Sequence, residues 1–323
     1  MTDWDKRLRD AILVRRIGTD HFESRIDDQW VPLFNKGIFG GTFLAQSIAA
    51  ASETVPSEYH LHYISSQFLR PGTPDRVQYR VNRLRDGSSY IFRTVEATQG
   101  GRVLFLASIS FQSEEEGQPD FYIIPPVTTT ADIAWKASHP GVNGATITTA
   151  VLPPEESMPA SDRFKEAMQD PKIGKRRESL MHWTKDQRDV FPLETRHAVP
   201  DMCTKWGTLT PNIRTAFWLR SRVPFDGDHN EQRAALAYQV DHMTLSNILA
   251  TQNGVPPTMM ATLNHTMWFF APFNMHDWLL LVLENQVLGN GRGLVTGRIY
   301  RRDGVFVAAI AQEGVVRMPA AKV

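Results

Sequence analysis

A chain of 323 residues, 42% hydrophobic, is long enough for two ordinary domains or one duplicated domain around a sizeable core. Its 35 basic and 35 acidic residues cancel, which removes any global pull toward nucleic acid or an anionic membrane and leaves only local patches. The single cysteine, Cys203, excludes an intrachain disulfide framework and suits a reducing compartment.

The chain opens on Met1-Thr-Asp-Trp-Asp-Lys-Arg7, which is charged and lacks the apolar stretch of a signal peptide. No apolar run approaches the roughly 18–20 residues that span a bilayer. The most apolar stretch, Trp278–Leu283, is short and bounded by Asp277 and Glu284. A soluble intracellular protein is expected. A helix-like apolar segment, Phe39–Ala51, leads to a strand-like run that ends in Phe68-x-x-Pro71. Strands are expected over Arg76–Arg83 and Tyr90–Gln112, the latter folding back at Gly100-Gly101 as a hairpin.

The stretch from Ser113 to about 205 is different. It begins with a charged break, Ser113-Glu-Glu-Glu, and prolines at 125, 126, 153, 154, 171, 192 and 200 interrupt any long element. Lys172-Ile-Gly-Lys-Arg-Arg177 reads as a solvated loop or as a grip for phosphate. A second series follows: a helix-like Asp241–Ala250, a strand ending in Phe269-x-x-Pro272, then Trp278–Glu284 and Leu294–Val316. The last of these turns back at Asp303-Gly304, a strong hairpin signal. Gly289-Asn-Gly-Arg-Gly293 precedes a strand and reads as a loop, not a dinucleotide fingerprint.

The two series match at an offset of 201: Leu44, Ala49, Phe68 and Pro71 correspond to Leu245, Ala250, Phe269 and Pro272. One helix followed by antiparallel strands, occurring twice, predicts an α+β duplication. The modules are placed at 1–125 and 206–323, with a Pro-rich insert over 126–205 crossing on the outside. Asp241, Thr262 and Gln312 sit in apolar surroundings in the second copy, and the first copy has Gly40, Leu61 and Ile109 at the matching positions. A carboxylate, a hydroxyl and a carboxamide can orient a water and accept its proton, and none is a strong nucleophile as it stands. Hydrolysis without a covalent intermediate follows, with the catalytic trio in the second copy; taken alone, Asp241 also reads as a helix N-cap.

Gly40 and Gly41 open the first helix, where free N–H groups suit an oxyanion; a tight turn is the plainer reading. Trp268 and Phe269 read as core or as lining of an acyl tunnel. His60, His62 and His265 read as hydrogen-bonded structural histidines. No Gly-x-Ser-x-Gly elbow and no His-Glu-x-x-His helix occurs. No metal and no organic cofactor is called for.

Several words, in one order, resemble the acyl-CoA thioesterase II family. They are Phe39-Gly-Gly with Gln46, Phe68-Leu-Arg-Pro-Gly72, Leu84-Arg-Asp-Gly87 and Ser110-Phe-Gln112 in the first copy. In the second they are Tyr238-x-x-Asp241, Ala261-Thr262, His265-x-Met-Trp-Phe269, Pro272-Phe273, Arg292-Gly293, Asp303-Gly304-Val305 and Gln312-Glu-Gly-Val315. The resemblance implies a double hotdog, each module a helix wrapped by an antiparallel sheet, acting on an acyl-CoA with Asp241, Thr262 and Gln312 holding the water. Homo-oligomers are compatible with it. The departures are Thr42 for a Gln, Ser65 for a His and Asn264 for an Asp. They surround the trio and bear on substrate choice, opening the reading of a specialised fatty-acid or secondary-metabolite pathway. A non-catalytic acyl-chain carrier is the alternative; a hotdog hydratase is disfavoured because Ser246 stands where its His belongs, five residues after Asp241. The terminal Ala321-Lys322-Val323 approximates a Ser-Lys-Leu peroxisomal signal, with the cytoplasm as the alternative address.

Overall fold

The computed structural model describes residues 3–32, 36–115, 117–119, 121–123, 151–169, 176–199, 214–251 and 257–317. The first half contributes helix α1 (Asp3–Ile12), strands β1 (Val14–Gly18) and β2 (His21–Ser24), helix α2 (Gly40–Ser52) and strands β3 (Tyr59–Phe68), β4 (Gln78–Asp86), β5 (Tyr90–Gln99) and β6 (Arg102–Ser113). Next come β7 (Met158–Pro159), helices α3 (Ala160–Ala167) and α4 (Arg176–Lys185), a π-helical turn at Asp186–Val190, β8 (Leu193–His197) and β9 (Arg214–Ser221). The chain closes with helix α5 (His229–Thr244), a 3-10 segment (Leu245–Thr251) and strands β10 (Met259–Phe269), β11 (Leu279–Gly289), β12 (Arg292–Arg301) and β13 (Phe306–Arg317).

The described strands form one sheet in the order β1-β2-β4-β5-β6-β3-β10-β13-β12-β11-β9-β8-β7, antiparallel at each recorded pairing. Apart from the terminal β7, which has no counterpart, the order is a palindrome about β3 and β10. Ser65 lies directly opposite Thr266 in that central pair, and the two are 201 residues apart. A pseudo-twofold axis therefore passes between them, as the repeat requires. Both central strands carry a bulge at the matching place, between Leu61 and Tyr63 in β3 and between Thr262 and Asn264 in β10. The expected α+β double hotdog is the fold observed. Both glycine hairpins form: Gly100 and Gly101 take positive φ between β5 and β6, and Gly304 does so before β13.

α2 is apolar on nearly every side and buried from Gly41 to Ala51 except at Ala49, as a helix inside a wrapped sheet must be. Fully enclosed side chains such as Leu44 and Ile48 each contribute about 1.5–3 kcal/mol relative to exposure. Gln46 is buried with them because its polar atoms are matched. Its amide donates to the Ala11 carbonyl, and its oxygen accepts from the Ser24 and Tyr79 hydroxyls. This ties α1, β2 and β4 to α2.

Two expectations are corrected. The second helix does not begin at Asp241. It begins at His229, where the Asp228 carboxylate accepts from the backbone of Asn230 and Glu231 and the Glu231 side chain returns to the Asp228 N–H. That capping box fixes the start, and Asp241 falls in the last turn. The segment 126–205 is also not wholly external. β8 pairs with β9 and β7 with β8, so it extends the second module's sheet. Proline is tolerated in β7 because that strand is the sheet's last one.

Candidate active site

Four elements meet where the copies face each other: the last turn of α5, the inner faces of β10 and β13, and the start of α2. Asp241 hangs from α5 with its side chain 4% exposed. Gln312 lies on the inner face of β13, fully buried, and its amide donates at 2.8 Å to both Asp241 Oδ1 and Thr262 Oγ1. The three residues expected as a trio are thus brought together, with Gln312 as the link. Both N–H bonds of its amide are used in that link, so it holds the carboxylate and the hydroxyl at a fixed spacing.

Thr262 reaches this cluster because of the β10 bulge. Beyond it, His265, Met267 and Phe269 alternate inward. Strict alternation would aim Leu263 and Ala261 inward as well, but the extra residue in the bulge shifts the phase and turns Thr262 to the inner face. The same bulge in β3 aims Leu61, the matching residue of the first copy, into the core.

Gly40 and Gly41 face α5. An ideal Cβ on Gly40 would lie 2.7 Å from Asp241 Oδ2 and 3.0 Å from the Phe68 ring, and one on Gly41 would lie 2.7 Å from the Tyr238 carbonyl oxygen. Glycine is required at both for this close approach. Phe39, the residue capping α2, provides no side-chain acceptor, and the Gly40 and Gly41 N–H groups have no partner among the described residues. Uncapped donors at a helix N-terminus therefore stand beside the carboxylate's Oδ2, which accepts no hydrogen bond from the described residues.

From the sequence alone His265 reads only as a structural histidine. It is fully buried, and its Nδ1 lies 3.3 Å from Asp241 Oδ1. The available signal was the 201 offset, which pairs His265 with Ile64: another polar side chain gained by the second copy alone. His242, the residue after Asp241, was also passed over. Burial pushes it down to about 4, against the pull of Asp241, so it is neutral at physiological pH. It packs with Trp30, Phe39 and Phe191 beside the cluster. Burial also raises the Tyr238 phenol, and the neighbouring Asp241 raises it further.

The acyl-pocket candidates divide. Phe269 faces inward and is buried, but Trp268 is 37% exposed on the opposite face of β10, against Tyr63. Trp268 therefore does not line the space beside Asp241, because adjacent residues of a strand point to opposite sides. His62 hydrogen-bonds the Ser110 hydroxyl through Nε2 at 2.7 Å, and His60 packs on His229. Among the described residues no group of three metal-ligating side chains occurs. Lys172–Lys175, Cys203 and Ala321–Val323 lie outside the described residues.

Two hotdog modules packed about one axis, with a buried carboxylate, carboxamide and hydroxyl gathered at their junction, define the class of double-hotdog proteins. The acyl-CoA thioesterase N-terminal domain family matches residues 27–112, and the acyl-CoA thioesterase C-terminal domain family matches 158–316. Acyl-coenzyme A thioesterase 8 of Mus musculus is 32% identical over 292 residues, which cover 90% of this chain and 82% of the mouse protein. The peroxisomal acyl-coenzyme A thioester hydrolase 1 of Saccharomyces cerevisiae is 25% identical over 311 residues, covering 88% and 87%. Among solved structures, an acyl-CoA thioesterase II from Mycobacterium marinum superposes with a TM-score of 0.69 at 24% identity, covering 97% of this chain and 99% of that one. The chain belongs to the acyl-CoA thioesterase II family.

Proposed function

We propose that Asp241 is the general base in the acyl-CoA thioester hydrolysis that this family member carries out. The observation that carries the reading is the Gln312 amide bridging Asp241 Oδ1 and Thr262 Oγ1, which leaves Oδ2 free toward α2. A water placed at Oδ2 gives up a proton there as its oxygen attacks the thioester carbonyl carbon. The Thr262 hydroxyl, whose oxygen already accepts from Gln312, keeps its own proton for holding that water. Negative charge developing on the carbonyl oxygen is met by the unpartnered N–H groups of Gly40 and Gly41. Such fixed donors contribute about 3–4 kcal/mol each. Collapse breaks the C–S bond, and the proton held by Asp241 passes to the departing sulfur, giving free acid and CoA.

The test is a series of acyl-CoAs of increasing chain length, followed by release of free thiol, with purified wild type and Asp241→Asn. Thiol release by the wild type and its loss in the variant support the reading; wild-type turnover by the variant ends it. Binding of acyl-CoA without thiol release by the wild type favours the carrier alternative.

The proposed address is the peroxisome, supported by the yeast relative's name and by Ala321-Lys322-Val323. A fluorescent protein fused ahead of the intact C-terminus should form puncta that disappear on removal of Lys322 and Val323. Diffuse signal from the intact fusion returns the protein to the cytoplasm.

A further inference from the structure

We propose that His265 is a positioning residue for Asp241: its Nδ1–H, together with the Gln312 amide, locks the carboxylate so that Oδ2 alone is presented to water. The inference rests on the reading of Asp241 as the base.

Four observations support it. First, His265 and Gln312 are direct cross-strand neighbours on β10 and β13, and both reach the same oxygen, Oδ1, at 3.3 and 2.8 Å. One donor would leave the carboxylate free to turn about its Cβ–Cγ bond; two donors from adjacent strands fix its plane. The longer bond is of the kind that tightens when a catalytic site fills.

Second, the contact places a proton on Nδ1. A bare Nδ1 would set a lone pair against a carboxylate lone pair, so Nδ1 carries the proton. Nε2 is buried with no partner among the described residues. No acceptor stands at Nε2 among the described residues, which fits a fixed donor at Nδ1. Third, the strand beneath is itself anchored from the first module, since the Ser66 hydroxyl donates to the His265 carbonyl at 2.8 Å. Fourth, the equivalent position of the first copy, which has no carboxylate to hold, is the aliphatic Ile64. An imidazole with one unpartnered nitrogen is a costlier filler for that space than an aliphatic side chain, so packing alone gives no reason for histidine.

The test compares His265→Ile, which copies the first module, with His265→Asn and His265→Gln. The amide of Asn can take the place of Nδ1, and that of Gln takes the place of Nε2. Against one acyl-CoA, kcat of His265→Ile should fall about 10–100-fold, the scale of a misplaced catalytic group, with KM unchanged. His265→Asn should recover most of the loss, and His265→Gln should not. Adding His265→Ile to Asp241→Asn should cost nothing further, because the histidine acts only through the carboxylate. Wild-type kcat in His265→Ile beside an inactive Asp241→Asn overturns this inference and leaves the base assignment standing; an active Asp241→Asn overturns the base assignment itself. If His265→Ile does not fold, the Asn and Gln variants decide, and equal kcat in the two overturns the inference.

Discussion

Gly40→Ala is the smallest change that presses on the proposed base. The added Cβ would sit 2.7 Å from Asp241 Oδ2 and 3.0 Å from the Phe68 ring, against an optimum of about 3.5 Å for such contacts. Oδ2 must therefore retreat by up to about 0.8 Å. It cannot swing aside freely, because Oδ1 of the same carboxylate is held by Gln312 and faces His265. A displacement of that size at a reacting group costs up to about 100-fold in rate, so kcat should fall about 10–100-fold. Overpacking of this kind costs about 1–3 kcal/mol, a drop in Tm of several degrees. Gly41→Ala is the control. Its Cβ would meet the Tyr238 backbone oxygen at 2.7 Å and the Phe39 ring closer still. Backbone yields less than a side chain, so this variant should lose more stability than Gly40→Ala. Thiol release under saturating acyl-CoA and calorimetric Tm measure both. A Gly40→Ala protein with kcat within about 2-fold of wild type and an unchanged Tm would refute the claim that position 40 confronts the base.

Two further outcomes follow from the same contacts. Gln312→Leu takes a donor away from a buried carboxylate, so it should lose about 1–3 kcal/mol of stability, and its kcat should fall at least about 10-fold as Asp241 and Thr262 lose their link. Acid should destabilise the protein through its buried histidines. Burial holds His197 at about 3 and His242 at about 4, against 6.5 when unfolded, so the unfolded chain binds more protons between those values. Stability is then full above about 6.5 and falls as pH drops toward 4 and then 3, by a few kcal/mol per histidine. His197→Phe should flatten the fall in Tm over that range, and an unchanged slope counts against the assignment.

The strands were legible because their turns are chemically marked. Gly100-Gly101 and Asp303-Gly304 supply backbone that only hairpins of this kind need, and the 201 offset is met at Ser65 and Thr266 on the axis itself. The trio was legible for a related reason: polar residues stand out against their aliphatic counterparts Leu61 and Ile109. The start of α5 was missed although Asp228 and Glu231 have capping-box spacing. The helix is buried on all sides, with Gln232, Arg233 and Gln239 enclosed, so it shows no amphipathic period. β8 was hidden by the prolines around it. The bulge that turns Thr262 inward leaves no mark in residue types, since Leu263 looks like an ordinary strand residue.

The asymmetry between the copies has a physical origin in the position of the axis. Position 40 corresponds to 241 under the repeat, and the structure sets the two against each other, with the Gly40 Cβ direction meeting Asp241 Oδ2 at 2.7 Å. A carboxylate at both places would bring two like charges into contact inside the protein, where one must take up a proton. A protonated acid cannot serve as the base, and the second side chain would also fill the space above Oδ2. The duplicated scaffold can therefore hold one ionised carboxylate at this junction. Gly40 is what leaves it room, Leu61, Ile64 and Ile109 make the vacated half an apolar wall, and Thr262, His265 and Gln312 gather on the half that kept the charge. On the proposed reading, the two modules make one active site per chain because their contact at the axis excludes a second.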